Sequence, residues 1–261
     1  MKDRRALLLV VIYTGAWLVV GVGITAVAAI LIGLASGAAS GLAASGLGDP
    51  GAVERAARSL SSSPAVLLGS LVVQFPVMLG IAEGVRWLGD REVLRREAVP
   101  WREAYAIRRA PIGAVGASLA LGLTAGWFSG WVAQHMRELL PGLDLGAGEA
   151  IEALLLGGPV PARALGVLMI VGVAPVVEEL VFRGFMWDAL RLGAGDRAAW
   201  IGSSLLFAAY HMDPIQGTAL VFTALVLGWV RWSTGSVLPG IGLHAVNNGL
   251  GVAAALAGGA E

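Results

Sequence analysis

The chain has 261 residues, of which 57% are hydrophobic and only 14% are charged, against about 25% charged residues in a typical soluble domain. Its eighteen basic and eighteen acidic residues balance, which argues against a nucleic-acid-binding protein, since such proteins carry a basic excess. The lack of cysteine excludes disulfides, thiolate metal sites and a cysteine nucleophile. Because so few charges cannot cover a soluble domain, the composition predicts a membrane protein.

Long apolar segments recur along the whole chain. A helical bilayer crossing takes about 20 apolar residues, and backbone polar groups in lipid must bond within their own segment, which makes such segments helices. We therefore predict an all-α, polytopic transmembrane helical bundle of about seven membrane segments, some short or kinked, in which 1–261 is a single membrane domain. The predicted segments are Ala6 to about Leu34, Pro64 to about Ala82, Pro111 to about Ala133, Ala164 to about Leu192, Ala198 to His211, Gln216 to Trp232 and Val237 to about Leu256.

The distribution of basic residues predicts the orientation in the membrane. Residues 2–5 contain three basic residues and 83–110 contain seven arginines, whereas the stretches 35–63 and 134–163 contain two each. Cytoplasmic loops carry an excess of Lys and Arg. We therefore predict a multi-pass protein of the cell membrane with a cytoplasmic N-terminus and a cytoplasmic, arginine-rich loop at 83–110.

The fourth predicted segment carries charges in its middle, in the sequence EELVFR at 178–183. Glu179 and Arg183 are four residues apart, a spacing that stacks two side chains on one helix face and allows them to pair. Glu178 points about 100° away, so Arg183 is a poor partner for it. An intramembrane carboxylate without a partner is a candidate functional group; the alternative is a carboxylate that only locks helices together.

Two of the three histidines fall inside later membrane segments. His211 ends the sequence FAAYH, with Phe207 four residues before it, and His244 shares a helix face with Asn248. Helix-rise counts from the predicted cytoplasmic interface place Glu178, His211 and His244 about 15–21 Å deep, near the middle of a core about 30 Å thick. One site can therefore contain all of these groups.

This set of side chains favours hydrolysis by water. A desolvated glutamate is suited to act as a general base, and histidine and asparagine can donate hydrogen bonds to a developing oxyanion. No serine stands in an obvious motif with the histidines, which disfavours a serine nucleophile. Two other classes are considered: a non-catalytic membrane scaffold or regulator, and a transporter with a proton relay, although the paired broken helices expected of a transporter are not seen.

Three fragments carry a resemblance to a known family. EELVFR, FAAYH and HAVNN match the motifs EExxxR, FxxxH and HxxxN, in that order and each in a membrane segment. On these motifs the chain resembles the CPBP intramembrane proteases, also called the Abi or type II CAAX prenyl endopeptidase family. The similar stretch covers roughly 164–256, which the resemblance marks as the catalytic core.

The resemblance implies an intramembrane endopeptidase that acts on a membrane-associated peptide or protein substrate in the lipid bilayer, with no nucleic acid as a partner. Eukaryotic relatives trim the last three residues of prenylated CaaX tails, whereas peptide maturation, bacteriocin immunity and membrane-protein turnover are equally open here. Carried over by position, Glu178 would activate water, His211 would assist it, and His244 and Asn248 would hold the oxyanion. The supporting residues would be Glu179, Arg183 and Phe207.

The resemblance leaves open whether the reaction uses a metal ion, because family members have been described both as metalloproteases and as metal-independent enzymes. A zinc set with an open position could use His211, His244 and Glu178. We expect no cofactor, because the sequence contains no histidine pair of the H-E-x-x-H type.

Overall fold

The computed structural model describes residues 4–35, 63–93, 99–143 and 147–258, and every regular element in these ranges is helical. The all-α prediction is therefore confirmed. Several helices contain wider, π-helical turns. Helix α1 comprises Ala6–Ala16, a π turn at Trp17–Gly21 and Val22–Ala35; α2 comprises Pro64–Leu88 and a π turn at Gly89–Val93; α3 is Trp101–Ala104; α4 is Ile112–Leu139, followed by a 3₁₀ turn at Pro141–Leu143; and α5 comprises Ala147–Glu152 and a π turn at Ala153–Gly157.

The C-terminal half begins with a long, twice-interrupted helix and ends with three regular ones. Helix α6 comprises Val160–Val167, a π turn at Leu168–Val173, Ala174–Glu179, a second π turn at Leu180–Met186, and Trp187–Ala194; α7 is Asp196–Tyr210; α8 is Pro214–Thr234; and α9 is Leu238–Gly258.

Among the described residues, five helices are long and apolar enough to cross a membrane, which makes the chain a multi-pass membrane protein. Helices are also present at the other two predicted segments: α7, which has only 15 residues, and α9, which has 21. The five candidate spans are Ala6–Ile32, Pro64–Arg91, Ile112–Leu139, Val160–Ala194 and Pro214–Thr234.

The second span is longer than the sequence predicts. We placed its end near Ala82, but α2 continues to Val93, so that the first part of the region 83–110 is helical. The reason is local charge pairing along one helix face. Arg86 Nη2 lies 2.9 Å from Glu83 Oε2, and Arg86 Nη1 lies 3.4 Å from Asp90 Oδ2. Residues 94–98, together with 36–62 of the predicted outer loop, lie outside the described residues.

Contacts between helix ends show which of them share a side of the bundle. The start of α1 packs against the end of α6, and the rings of Trp200 and Trp232 join the start of α7 to the end of α8, with centroids 5.6 Å apart. Ser236 Oγ donates to the carbonyl of Arg108 at 2.6 Å. We call this side the arginine-rich end and the other side the cavity end. The described arginines at the arginine-rich end are Arg4, Arg5, Arg86, Arg91, Arg102, Arg108, Arg109, Arg191, Arg197 and Arg231.

Glycines allow α4 and α9 to approach closely. A Cβ on Gly122 would lie 2.6 Å from the carbonyl oxygen of Leu243, and a Cβ on Gly126 would lie 3.3 Å from the Cα of Asn247. Small residues serve this purpose at helix interfaces in membranes, where dispersion contacts replace the hydrophobic effect. The close approach brings the polar middle of α9 against α4.

We predict that Gly122→Ala destabilises the protein, because the added methyl group meets backbone rather than a side chain that can move aside. Overpacking of this kind costs about 1–3 kcal/mol. Thermal unfolding in detergent measures it. The matched control is Gly116→Ala in the same helix, where a Cβ would meet nothing within 4 Å. Equal melting temperatures for the two variants would contradict close packing at Gly122.

Candidate active site

Two π turns of α6 flank the segment that carries the adjacent carboxylates. Glu178 and Glu179 close the short α-helical stretch Ala174–Glu179, and the wider turn Leu180–Met186 follows directly. The carbonyl of Arg183, within this wider turn, accepts a hydrogen bond from Arg231 Nε of α8 at 2.9 Å. π turns inside helices occur frequently at functional sites. Here they separate the carboxylate-bearing stretch from the regular helix on either side.

Glu179 and Arg183 form the ion pair that their spacing predicts. Arg183 Nη1 lies 3.0 Å from Glu179 Oε1, and both side chains are fully buried. Arg183 Nη2 also donates to the carbonyl of Ala224 in α8 at 2.9 Å, and its guanidinium carbon lies 4.6 Å from the ring centroid of Phe207 in α7. One side chain thus connects α6 with α7 and α8.

Phe207 occupies the space between the two histidines. Its side chain is fully buried, and its ring centroid lies 5.0 Å from that of His211 and 5.4 Å from that of His244, both in edge-on geometry. A third edge-on contact, at 5.3 Å, joins it to Phe182. The motif FxxxH therefore supplies a spacer that sets the separation of the two imidazoles.

His244 faces both carboxylates of α6. Its Nδ1 lies 3.3 Å from Glu179 Oε1, within hydrogen-bonding distance, whereas its Nε2 lies 3.7 Å from Glu178 Oε2, beyond that distance. As the spacing predicts, Arg183 pairs with Glu179. Glu178 instead faces the imidazole of His244.

His211 is held by its own helix. Its Nδ1 lies 2.9 Å from the carbonyl oxygen of Phe207. Because a carbonyl oxygen only accepts, Nδ1 must carry the hydrogen. In the neutral imidazole Nε2 is then left as an acceptor. The third histidine, His135, bonds to the carbonyl of Trp131 at 2.8 Å.

A chain of hydrogen bonds fixes the amide of Asn248, and sequence reasoning missed most of it. Asn248 Nδ2 donates to the carbonyl of Ile170 at 2.9 Å, and its Oδ1 accepts from Asn247 Nδ2 at 3.1 Å. Thr223 Oγ1 in turn donates to Asn247 Oδ1 at 3.2 Å and lies 2.8 Å from Ser129 Oγ. The signal in the sequence was the pair of adjacent asparagines, of which only Asn248 falls on a family motif position.

The predicted catalytic residues all line one cavity of about 930 Å³, and the predicted supporting residues lie behind its wall. The structure thus brings together the four groups from three different parts of the chain. Glu179, Arg183 and Phe207 do not reach the cavity surface. The predicted catalytic residues at the surface are Glu178, His211, His244 and Asn248.

The same groups do not fit a zinc site as they are arranged. Within the described part of the chain, no group of three or more His, Cys, Asp or Glu side chains is arranged so that it could hold a metal ion. We therefore assign no reaction step to a metal.

Comparison with protein families gives one match, over residues 160–250, to the family described as Type II CAAX prenyl endopeptidase Rce1-like. The matched segment contains all three motifs and confirms the resemblance to the CPBP proteases. No curated protein and no solved structure matches the chain. Over residues 160–250 the chain is therefore similar to a family of CAAX-type membrane proteases.

We predict that Arg183→Ala destabilises the protein strongly. The substitution leaves Glu179 buried without its cation, and breaking a buried pair from one side costs about 3–5 kcal/mol. Unfolding in detergent should show the loss, and the double variant Glu179→Ala/Arg183→Ala should recover part of it.

The control for this prediction is Arg191→Ala. Arg191 pairs with Asp188 at 3.1 Å, but its side chain is 47% exposed, and an exposed pair contributes about 0–1 kcal/mol. An Arg183→Ala protein that unfolds like wild type yet has no activity would show that Arg183 acts in the chemistry rather than in support.

Proposed function

We propose that the chain is an intramembrane endopeptidase in which Glu178 activates a water molecule for attack on a peptide bond. The observation that carries the proposal is the convergence of Glu178, His211, His244 and Asn248 on one cavity within the helical bundle. The match of residues 160–250 to a protease family supports the same reaction class. Nothing in the arrangement favours a scaffold or a transporter over this reading.

In the proposed reacting state Glu178 is ionised, so that it can accept a proton, and a protonated His244 balances its charge. Glu178, Glu179, Arg183 and His244 are all buried, and a net charge in such surroundings is strongly unfavourable. Two carboxylates, one guanidinium and one imidazolium sum to zero. In this state His244 donates through Nδ1 to Glu179, and its second N–H points towards Glu178 and the cavity.

Water is activated between Glu178 and His211. One hydrogen of the water is directed at the Glu178 carboxylate and the other at the free Nε2 of His211, which orients the oxygen towards the substrate carbonyl. Glu178 accepts the first proton as the new carbon–oxygen bond forms. The same proton then passes to the departing amine as the carbon–nitrogen bond breaks, leaving a carboxylic acid and an amine.

The developing oxyanion is held by two donors on one face of α9. The Nε2–H of His244 is one donor. Asn248 supplies the other, because its Oδ1 is taken by Asn247 and one of its two amide hydrogens by Ile170, which leaves the second amide hydrogen for the substrate. Donors fixed in advance need no reorganisation during the reaction.

We predict that Glu178→Gln abolishes cleavage and leaves the fold intact. Glutamine keeps the shape of glutamate but cannot accept the proton, and the loss of a general base lowers the rate by about 10²–10⁴-fold. The measurement has two stages. New protein N-termini are first compared in membranes with wild-type and Glu178→Gln protein, and a peptide spanning a site found in this way is then assayed with purified protein. Near-wild-type turnover by Glu178→Gln would overturn the proposal.

We predict that Asn248→Ala lowers kcat by about 10²–10³-fold, the typical effect of removing one oxyanion donor. A substitution in the hydrogen-bond chain behind Asn248 should lower kcat in the same way, but by less. Thr223→Val keeps the shape but removes the hydrogen bond to Asn247, and should lower kcat by about 5–10-fold, the equivalent of one hydrogen bond. KM should not change, because the interaction is made only in the transition state.

The conservative variant Thr223→Ser is the control for this hydrogen-bond chain, since it retains the hydroxyl group. It should keep most of the wild-type kcat. If Val and Ser at this position behave alike, Thr223 acts through packing and does not orient Asn248.

We also predict that activity survives removal of metal ions, because the histidine and carboxylate groups are not arranged as a metal set. Elemental analysis of active, chelator-washed protein tests this. About one zinc per chain, with activity that follows its occupancy as expected for a catalytic zinc, would contradict it.

A further inference from the structure

The cavity lies mainly in one half of the bundle. The long helices line it mainly with residues from the half near the cavity end. The exceptions lie within about one turn of their helix midpoints: Trp17, Glu178, His244 and Asn247. The catalytic groups form the deep end of this space. The lining residues fall within 17–29 of α1, 71–75 of α2, 126–137 of α4, 170–178 of α6 and 244–255 of α9, with further contributions from 148–152 and 210–220.

The opposite half of the bundle is filled. Directly after the carboxylates, the second π turn of α6 presents apolar side chains that are at most 5% exposed, among them Val181, Phe182 and Phe185. Tyr105, in the loop between α3 and α4, is also fully buried, and the next residue of that loop accepts a hydrogen bond from the backbone of Val237 at 3.1 Å. Packed side chains thus separate Glu178 from the arginine-rich end.

The basic residues are concentrated at the filled end. Ten described arginines lie there, whereas Arg137 and Arg163 are the arginines that the described residues place at the cavity end. The basic residues of the stretch 36–62, which lies outside the described residues, are Arg55 and Arg58. Lys and Arg in short loops are retained on the cytoplasmic side of a membrane. The filled end therefore has the character of a cytoplasmic face.

We infer that the cavity opens on the non-cytoplasmic side of the membrane and that its substrates are polypeptide segments exposed on that side. The assignment of these segments as substrates rests on the proposed peptidase function. A prenylated tail held at the cytoplasmic face is then not the substrate of this chain, because the filled half of the bundle lies between that face and Glu178.

The depth of the cavity limits how a substrate enters. Ser129, which belongs to the hydrogen-bond chain behind Asn248, and Arg137, which is nearer the cavity end, both line the cavity. They are eight residues apart, a distance of about 12 Å along α4. An extended chain covers this distance with about four residues. The walls from α1 and α2 are mainly apolar, with Val22, Leu71 and Phe75 among them. The substrate is therefore an extended, predominantly apolar terminus or loop rather than a folded surface.

Single cysteines test the direction of opening without any engineered background, since the natural chain has none. Leu140 is 45% exposed at the cavity end of the bundle but does not line the cavity, so Leu140→Cys reports on the surface at that end. Met212 is 55% exposed and lines the cavity, so Met212→Cys reports on the cavity itself. The matched control is Glu103→Cys, in exposed α3 at the arginine-rich end. Each full-length variant is treated with a membrane-impermeant maleimide in intact and in permeabilised bacterial cells lacking an outer membrane.

We expect Leu140→Cys and Met212→Cys to react in intact cells to the same extent as in permeabilised cells, and Glu103→Cys to react only after permeabilisation. The reverse pattern would overturn the inference. So would a Met212→Cys protein that reacts only after permeabilisation or not at all, because the cavity would then open inward or exclude water. The labelling needs no catalysis and should be the same in a Glu178→Gln background. It therefore tests the direction of opening even if the proposed peptidase function proves wrong.

Discussion

The buried ion pair of Glu179 and Arg183 is the interaction on which the site is built. An unpaired charge at this depth would be strongly unfavourable, so each group requires the other, and their remaining hydrogen-bonding capacity is used to join helices. Arg183 binds the carbonyl of Ala224 in α8 and lies over the ring of Phe207 in α7, while Glu179 binds His244 of α9. The pair therefore sets the positions of three helices relative to α6.

The structure separates residues behind the cavity wall from residues at the cavity surface. Glu179, Arg183 and Phe207 lie behind the cavity wall, whereas Glu178, His211, His244 and Asn248 reach its surface. Two adjacent glutamates thus have different surroundings, because one helix residue turns them by about 100°. The close contact of α4 and α9, made possible by Gly122 and Gly126, adds a second supporting layer through the polar chain that ends at Asn248.

The two sides of Glu178 along the bundle differ in how densely they are packed. Apolar packing lies on one side of Glu178 and the cavity on the other, and the proposed approach of water and of an extended polypeptide is from the cavity end. Low dielectric surroundings on the filled side strengthen every electrostatic contact at the site. The same asymmetry appears in the basic residues, which gather at the filled end.

The sequence by itself determined the helical class, the spacing of Glu179 and Arg183, and the three motifs, because these depend on composition and on the period of a single helix. Tertiary structure alone decided that His244 contacts both carboxylates, that Phe207 spaces the imidazoles, and that Asn247 and Thr223 hold Asn248. It also decided that α2 continues past Ala82 through the pairing of Arg86. Such contacts join residues distant in the chain, and they depend on helix rotation and close approach, for which periodicity along one helix contains no information.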